Sequence, residues 1–335
     1  MKQIYLLFML LISVSLNAQN ALHFDGTNDS VIIPDSNALD LLANDDMTIE
    51  FWFKTTDNTS FVPLLSKADD ANNQVGYAVS MYSGIIGVAK IGDGGGAGLV
   101  YAQINTTIAF NDGNWHHFTA VLPGTDANNY SIYIDETLQT TTIASNNFAG
   151  EMVNSVDLLL GKFTNDYYQG IIDELRIWEK ALSASEIIAM STTELAGTET
   201  DLVAYYQFNE GVANGSNSGI NTLPDLTSNS NTGDLDKFSL NGTASNWVDG
   251  FLFLPLSNPN ITKEDSISLF PNPAKDVITI SGTRNSQQYT IFNIDGKEIT
   301  TGITNINSSI DTQNLSTGFY ILKFENGNAL RFMKE

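Results

Sequence analysis

The sequence predicts an all-β chain built of two unequal sandwiches. From Ala21 to Trp247, short runs in which apolar and polar residues alternate are separated by turn residues, the pattern of sandwich strands. Within that span only Ser183 to Met190 carries helix signals. After a break containing Pro255 and Pro259, alternation resumes in shorter strands and runs to Glu335.

Composition bounds the function. A chain of 335 residues can bury a core in each of two domains. Hydrophobic residues make up 42% and charged residues 16%, a globular balance. The net charge of −23 excludes binding to nucleic acid or anionic lipid through bulk charge and makes cations the natural partners. No cysteine is present, so disulfides, thiolate zinc sites and cysteine nucleophiles are excluded together.

The chain opens with Met1-Lys2-Gln3 and an apolar run from Ile4 to Leu16, with the small residue Ala18 before Gln19. The run is too short to span a bilayer, and residues 1–18 are expected to be a signal peptide. No later stretch is long and apolar enough for a membrane helix, so no membrane span is expected.

In the strands that follow, Met47, Ile49, Phe51 and Phe53 share one face, as do Tyr77, Val79 and Met81, and Tyr130, Ile132 and Ile134. The Gly92 to Gly98 run lacks the Lys-Ser/Thr and following helix of a phosphate loop, and is expected to be a hairpin loop. From Gly170 to Trp178, alternation puts Ile171, Asp173, Leu175 and Ile177 on one face and Ile172, Glu174, Arg176 and Trp178 on the other. Both faces are largely apolar, as in a central strand covered on both sides, so Asp173 and Glu174 call for an explanation. Ser183 and Glu186 then form a capping box that starts the helix.

Leu202 to Gly211 returns the chain to the sheet. Gly211 to Trp247 is rich in Asn, Ser, Gly, Thr and Asp, and is expected to form long surface loops, the usual place for binding sites on sandwiches. Residues 20–250 are thus expected to form one domain, residues 251–266 a linker and residues 267–335 a second domain. In the second, Asp295-Gly296 and Asn326-Gly327 are hairpin-turn pairs, and six or seven short strands predict a small immunoglobulin-like sandwich.

Three stretches carry a resemblance. Leu22 to Val31 (LHFDGTNDSV), Asp112 to Phe118 (DGNWHHF) and Gly170 to Trp178 (GIIDELRIW), with Ala181 to Ile187 after the last, resemble laminin G-like, concanavalin A-like lectin domains over residues 20–250. The resemblance implies a jelly-roll sandwich that binds carbohydrate or glycoprotein at or beyond the cell surface. It also implies a structural calcium held by Asp25, Asn28 and Asp173, with Asp29 and Glu174 assisting; calcium takes several oxygen ligands of mixed kind. The alternative for the same residues is a turn at Asp25, Gly26 and Asn28, with Asp173 accepting hydrogen bonds from backbone.

The tail carries a second resemblance. Pro271-Asn272-Pro273, Ile294-Asp295-Gly296-Lys297, Leu315 to Phe324 and the terminal Arg331 to Glu335 match, in order and spacing, the C-terminal sorting domain of type IX secretion cargo. This implies the type IX secretion machinery as a partner, and a secreted or outer-surface location.

Catalysis is the competing class, because laminarinase-type glycosidases share the jelly roll. Retaining hydrolases need two carboxylates about 5 Å apart on one face. Glu199-Thr200-Asp201 has the Glu-x-Asp spacing but lacks a further Glu, and Asp173 and Glu174, adjacent in a strand, are expected on opposite faces. No catalytic residues are therefore assigned. His116 and His117 likewise cannot chelate together, and with His23 they are expected to be packed or at a rim. Tyr168 is expected in the core, which leaves Tyr167 as the candidate to stack on a sugar. The reading is a secreted binding protein, with a structural adhesion module taking protein partners as the alternative and a glycoside hydrolase third.

Overall fold

The computed structural model describes residues 19–68, 75–96, 98–252, 268–281, 286–294, 296–304, 309–324 and 329–335. The expected signal peptide and most of the expected linker lie outside them. The chain divides into two compact units, residues 1–253 and 254–335.

The first unit is an antiparallel sandwich. One sheet runs in the order Thr137–Leu138, Ser131–Ile134, His116–Leu122, Met47–Lys54, Gln169–Trp178, Asn20–Asp25 and Asn246–Asp249. The opposing sheet has nine strands: Thr141–Asn146, Val100–Ala109, Ile85–Gly92, Gly76–Tyr82, Val62–Ala68, Leu158–Leu160, Ser30–Ile33, Gly233–Asp236 and Thr222–Leu223. The alternation predicts which side chains meet between them. Met47, Ile49, Phe51 and Phe53 from one sheet and Tyr77, Val79 and Met81 from the other enter a single buried cluster, together with Tyr130, Ile132 and Ile134.

Gln169–Trp178 is central, as expected, but its alternation is interrupted. Along one edge it pairs with Met47–Lys54. Its other edge is shared by Asn20–Asp25 up to Ile172 and by Leu202–Tyr206 from Leu175 onward. At the junction Glu174 has φ 54°, and the register against Met47–Lys54 shifts between Asp173 and Arg176. This β-bulge adds a residue and resets the parity. Ile172, Leu175 and Ile177 therefore all reach the core, while Asp173, next to Phe251, and Glu174, next to Arg176, lie on the outer face. The expectation that Asp173 and Glu174 face opposite ways is thus corrected, since it assumes an unbroken strand.

The helix Ala184–Met190 starts at the capping box: the Ser183 side chain accepts from the Glu186 N–H, and Glu186 Oε2 accepts from the Ser183 N–H at 2.8 Å. It covers the outer face with Ile187, which packs with Trp178, Leu182, Leu202 and Tyr205.

Two boundary expectations change. Residues 211–247 hold three strands as well as loops, and Leu223 and Trp247 are buried. Polar side chains take the place of apolar ones there: the Asp225 carboxylate accepts from the N–H groups of Tyr205, Thr227 and Asn231, and Asn217 exchanges hydrogen bonds with both the N–H and the C=O of Val212. Such bonds satisfy buried backbone that has no ladder partner. Phe251, expected in the linker, belongs to the sandwich, its ring stacked on Trp52 with centroids 3.4 Å apart.

The second unit has seven described strands in two sheets. Ser268–Phe270, Val277–Ser281 and Ser309–Asp311 form one, and Glu298–Thr304, Gln287–Asn293, Gly318–Phe324 and Ala329–Lys334 the other. Ile278, Ile280, Ile291, Leu322, Phe324 and Phe332 form its buried cluster. This is the small sandwich that the alternation predicts.

Candidate functional site

The residues expected to hold calcium are not brought together. Asp25 pairs with Gln169, whereas Leu22 pairs with Ile172. At about 3.3 Å per residue, Asp173 lies about 13 Å along the ladder from Asp25. Each carboxylate serves its own surroundings. Asp25 Oδ1 accepts from the Thr27 N–H at 2.8 Å, closing a turn, and Asn28 is exposed. Asp29 Oδ2 accepts from the Asp25 N–H and Oδ1 from the Ser245 hydroxyl, both at 2.9 Å. Burial nonetheless pushes the Asp29 carboxyl up to about 6.

Asp173 is 0% exposed, and its Oδ2 accepts from the Phe251 N–H at 2.9 Å. Burial first, then the Glu174 carboxylate, push its pKa well above the usual range. Among the described residues no group of three or more His, Asp or Glu is placed to hold a metal ion. Asp25 closes a turn and Asp173 accepts from backbone at Oδ2, while Asp173 Oδ1 is buried with no hydrogen-bond partner among the described residues.

The acids on the outer face of the eight-stranded sheet are sealed. Arg176 Nη2 donates to Glu174 Oε2 and to the Thr193 carbonyl, each at 2.7 Å, and Nη1 donates to the Met190 carbonyl at 2.8 Å. Its guanidinium carbon lies 5.1 Å from the Tyr205 ring centre. Glu50 Oε1 accepts from Trp178 Nε1 at 3.1 Å. His117 lies between Glu136 Oε1 at 3.2 Å and Glu50 Oε2 at 3.7 Å. Glu50, Glu174, Arg176 and His117 are all buried, so this cluster offers no acid to a substrate in solution. Glu199 accepts from the Ala196 N–H in a turn. His116 and His117 face opposite ways, as expected: His116 meets Phe53 and Phe110, with Nδ1 2.9 Å from Asp135 Oδ2. His23 is half-buried and accepts from the Ser245 N–H at Nδ1.

An open, mixed surface lies on the other side of the sandwich, the outer face of the nine-stranded sheet. Alternation that sends Val79, Met81, Val88 and Ile104 inward sends Ser80, Tyr82, Gly87, Gln103 and Asn105 outward. Ser80 pairs with Gly87, which pairs with Asn105; Ala78 pairs with Ala89, which pairs with Gln103. The floor is therefore made of small residues, with two amides along one side. A Cβ on Gly87 would stand 2.0 Å from Asn105 Oδ1, so a larger residue there would displace the Asn105 side chain. Gln103 Nε2 donates to Asn105 Oδ1 at 3.2 Å.

Aromatic rings gather at the Tyr82 end. Tyr82 is 38% exposed, with its ring 5.6 Å from Phe61, which lies 6.0 Å from Phe163. Tyr167, the candidate from sequence, sits in the same two-stranded hairpin as Phe163, but is half-buried with the Lys162 ammonium 5.6 Å from its ring centre. Tyr168 is in the core, as expected, and its hydroxyl donates to the carbonyls of Lys54 and Ile171. The signal for Tyr82 is present in sequence as the outward end of an alternating strand; Phe61 reaches it through the Val62–Met81 pairing of successive strands, whereas Phe163 is brought in by the Ser66–Leu159 pairing of strands far apart in the chain.

Comparison with known proteins places both units. Residues 25–188 match the family model of the concanavalin A-like lectin/glucanases superfamily, and residues 268–334 that of the secretion system C-terminal sorting domain. Among curated proteins none matches the chain. Similar solved structures include a Bacteroides ovatus protein assigned as carbohydrate-binding, with 12% identity and TM-score 0.44 over 65% of this chain and 58% of that one. Also similar are a heptameric pentraxin from Limulus polyphemus, with 14% identity and TM-score 0.37 over 51% of this chain and 81% of that one, and the CBM40 of a Ruminococcus gnavus IT-sialidase, with 16% identity and TM-score 0.36 over 51% of this chain and 96% of that one. Among the described residues, no helix is long and apolar enough to cross a membrane.

Proposed function

Because residues 25–188 carry a concanavalin A-like lectin/glucanases domain and residues 268–334 a secretion system C-terminal sorting domain, we propose that this chain is exported through its tail and binds carbohydrate across the outer face of its nine-stranded sheet. The observation that carries the reading is the exposed Tyr82 ring, continued by Phe61 and Phe163, beside the Gln103–Asn105 amide pair. A sugar presents an apolar C–H face and a rim of hydroxyls. Aromatic surface complements the first, and side-chain amides, which both donate and accept, complement the second. The ligand is a polysaccharide or the glycan of a glycoprotein.

The test is titration calorimetry of the full chain with soluble β-glucans, xylans and agarose oligosaccharides. For whichever glycan binds, Tyr82→Ala is expected to weaken affinity about tenfold or more, about 1.4 kcal/mol for one stacking face, and Gln103→Ala to weaken it too. Tyr167→Ala is expected to have less effect. Unchanged affinity in both Tyr82→Ala and Gln103→Ala would remove the site from this face.

A further inference from the structure

The calcium that the lectin-like resemblance implies does not fit Asp25, Asn28 and Asp173. A cation cage does exist elsewhere in the sandwich, and a side chain fills it. Lys67 is buried, with its side chain 1% exposed. Its Nζ lies 2.7 Å from Asp35 Oδ1, 2.9 Å from Asp40 Oδ1, 3.2 Å from Asn154 Oδ1 and 3.0 Å from the Val156 carbonyl. Two carboxylates, one amide oxygen and one backbone carbonyl are the mixture of oxygens that a protein offers to calcium. Asp35 is 31% and Asp40 15% exposed, so one side of the cage meets water.

The cage is braced. Asn154 Nδ2 donates to the Val75 carbonyl at 2.8 Å and to the Lys67 carbonyl at 3.3 Å, and its Oδ1 also accepts from the Val156 N–H. Lys67 pairs across the sheet with Tyr77, which pairs with Lys90. The Tyr77 hydroxyl donates to the Leu39 carbonyl at 3.1 Å, and Lys90 donates to the carbonyls of Asp45 at 2.6 Å and Gly124 at 2.8 Å. This one cross-strand row fastens the crossing segment from Asp35 to Asp45 onto the sheet. Lys67 differs from Lys90 in having carboxylates in contact.

We infer that Lys67 is the resident structural cation of this sandwich: its ammonium occupies the Asp35–Asp40–Asn154–Val156 cage, and the stability of the fold depends on that lysine in place of free calcium. All four tryptophans, Trp52, Trp115, Trp178 and Trp247, lie in the first unit, so tryptophan fluorescence of the full chain follows the sandwich alone.

Thermal melts followed in this way test the inference. Wild type is expected to melt at the same temperature in chelator and in about 5 mM calcium, a level above the dissociation constants of extracellular calcium modules. Lys67→Met, which leaves two acids facing each other, is expected to melt about 10 °C lower. Adding Asp35→Asn and Asp40→Asn to Lys67→Met is expected to recover at least half of that loss, whereas a purely steric role for the lysine stem leaves the triple variant as unstable as the single. Lys67→Ala, with the cage emptied, is expected to gain stability from calcium where wild type gains none. The inference is overturned if calcium raises the wild-type melting temperature by as much as that of Lys67→Ala, if Lys67→Met melts like wild type, or if the triple variant recovers nothing. Should Lys67→Ala fail to fold, the comparison of single and triple variants decides.

Discussion

Lys90 shows at the residue scale how the company of a charge sets its protonation. Its ammonium meets only carbonyl oxygens, of Ala43, Asp45 and Gly124. Burial therefore outweighs the more distant Asp45 and Asp46 carboxylates, and its pKa is lowered to about 8. An unfolded lysine holds its proton to about 10.4. Between pH 8 and 10 the unfolded chain thus binds more protons at this position than the folded one, and the contribution of Lys90 to stability rises with pH across that window. Over the full shift the gain is about 3 kcal/mol. Urea denaturation at steps from pH 7.5 to 10 should show this rise in wild type relative to Lys90→Met, in which that part of the slope is missing. Parallel pH profiles for the two proteins would mean that Lys90 titrates near its ordinary value. Above pH 10 the buried tyrosines, Tyr77 and Tyr168 among them, act in the opposite direction, because burial raises their pKa values and the unfolded chain loses those protons first.

At the scale of elements, the bulged strand and the helix that covers it act together. The bulge at Asp173 and Glu174 turns Glu174 to the side where the turn after Met190 supplies carbonyls to Arg176. Arg176 is the only described cation among Glu50, Glu174 and the carbonyls of Met190 and Thr193 that does not depend on a titratable imidazole. Arg176→Met should strand those acids, costing about 3–5 kcal/mol. Arg176→Lys should recover little, since one ammonium cannot span the partners that the planar fork reaches. Ser183→Ala removes only one side of the capping box and should cost about 1 kcal/mol. Guanidinium denaturation followed by tryptophan fluorescence ranks the three; equal losses for Ser183→Ala and Arg176→Met would show that the ion cluster adds nothing beyond packing. The helix itself is legible in sequence, because a cap and its partner lie three residues apart. The bulge is not, because Glu174 reads as an ordinary strand residue; it lies where the edge partner changes from Asn20–Asp25 to Leu202–Tyr206, a change that only distant pairing sets.

On the scale of the whole molecule, the two units have separate cores, and each contains the pairing partners of its own strands. Removal of residues 268–335 should therefore leave the sandwich folded, with its fluorescence melt within about 2 °C of the full chain, while abolishing export. Fractionation of producing cells should find the truncated chain retained behind the outer membrane and the full chain at the surface or in the medium. Equal amounts outside the cell for both would overturn the assignment of the tail.

What the sequence determined by itself is what neighbours in the chain decide. Period-two alternation named the core residues of most strands, three-residue spacing named the helix cap, and the order of short motifs named both domains. The tertiary structure alone decided where distant strands lie against one another. The Leu22–Ile172 register carries Asp25 away from Asp173 and dissolves the expected calcium site; pairing of Val62–Ala68 with Gly76–Tyr82 and Leu158–Leu160 gathers Asp35, Asp40 and Asn154 around Lys67, and Phe61 and Phe163 near Tyr82. The reason is physical: a side chain's face follows from its own strand, but its partners follow from ladder register, and register is fixed by packing over the entire core, since a slip of one residue would turn every side chain of a strand to the other face.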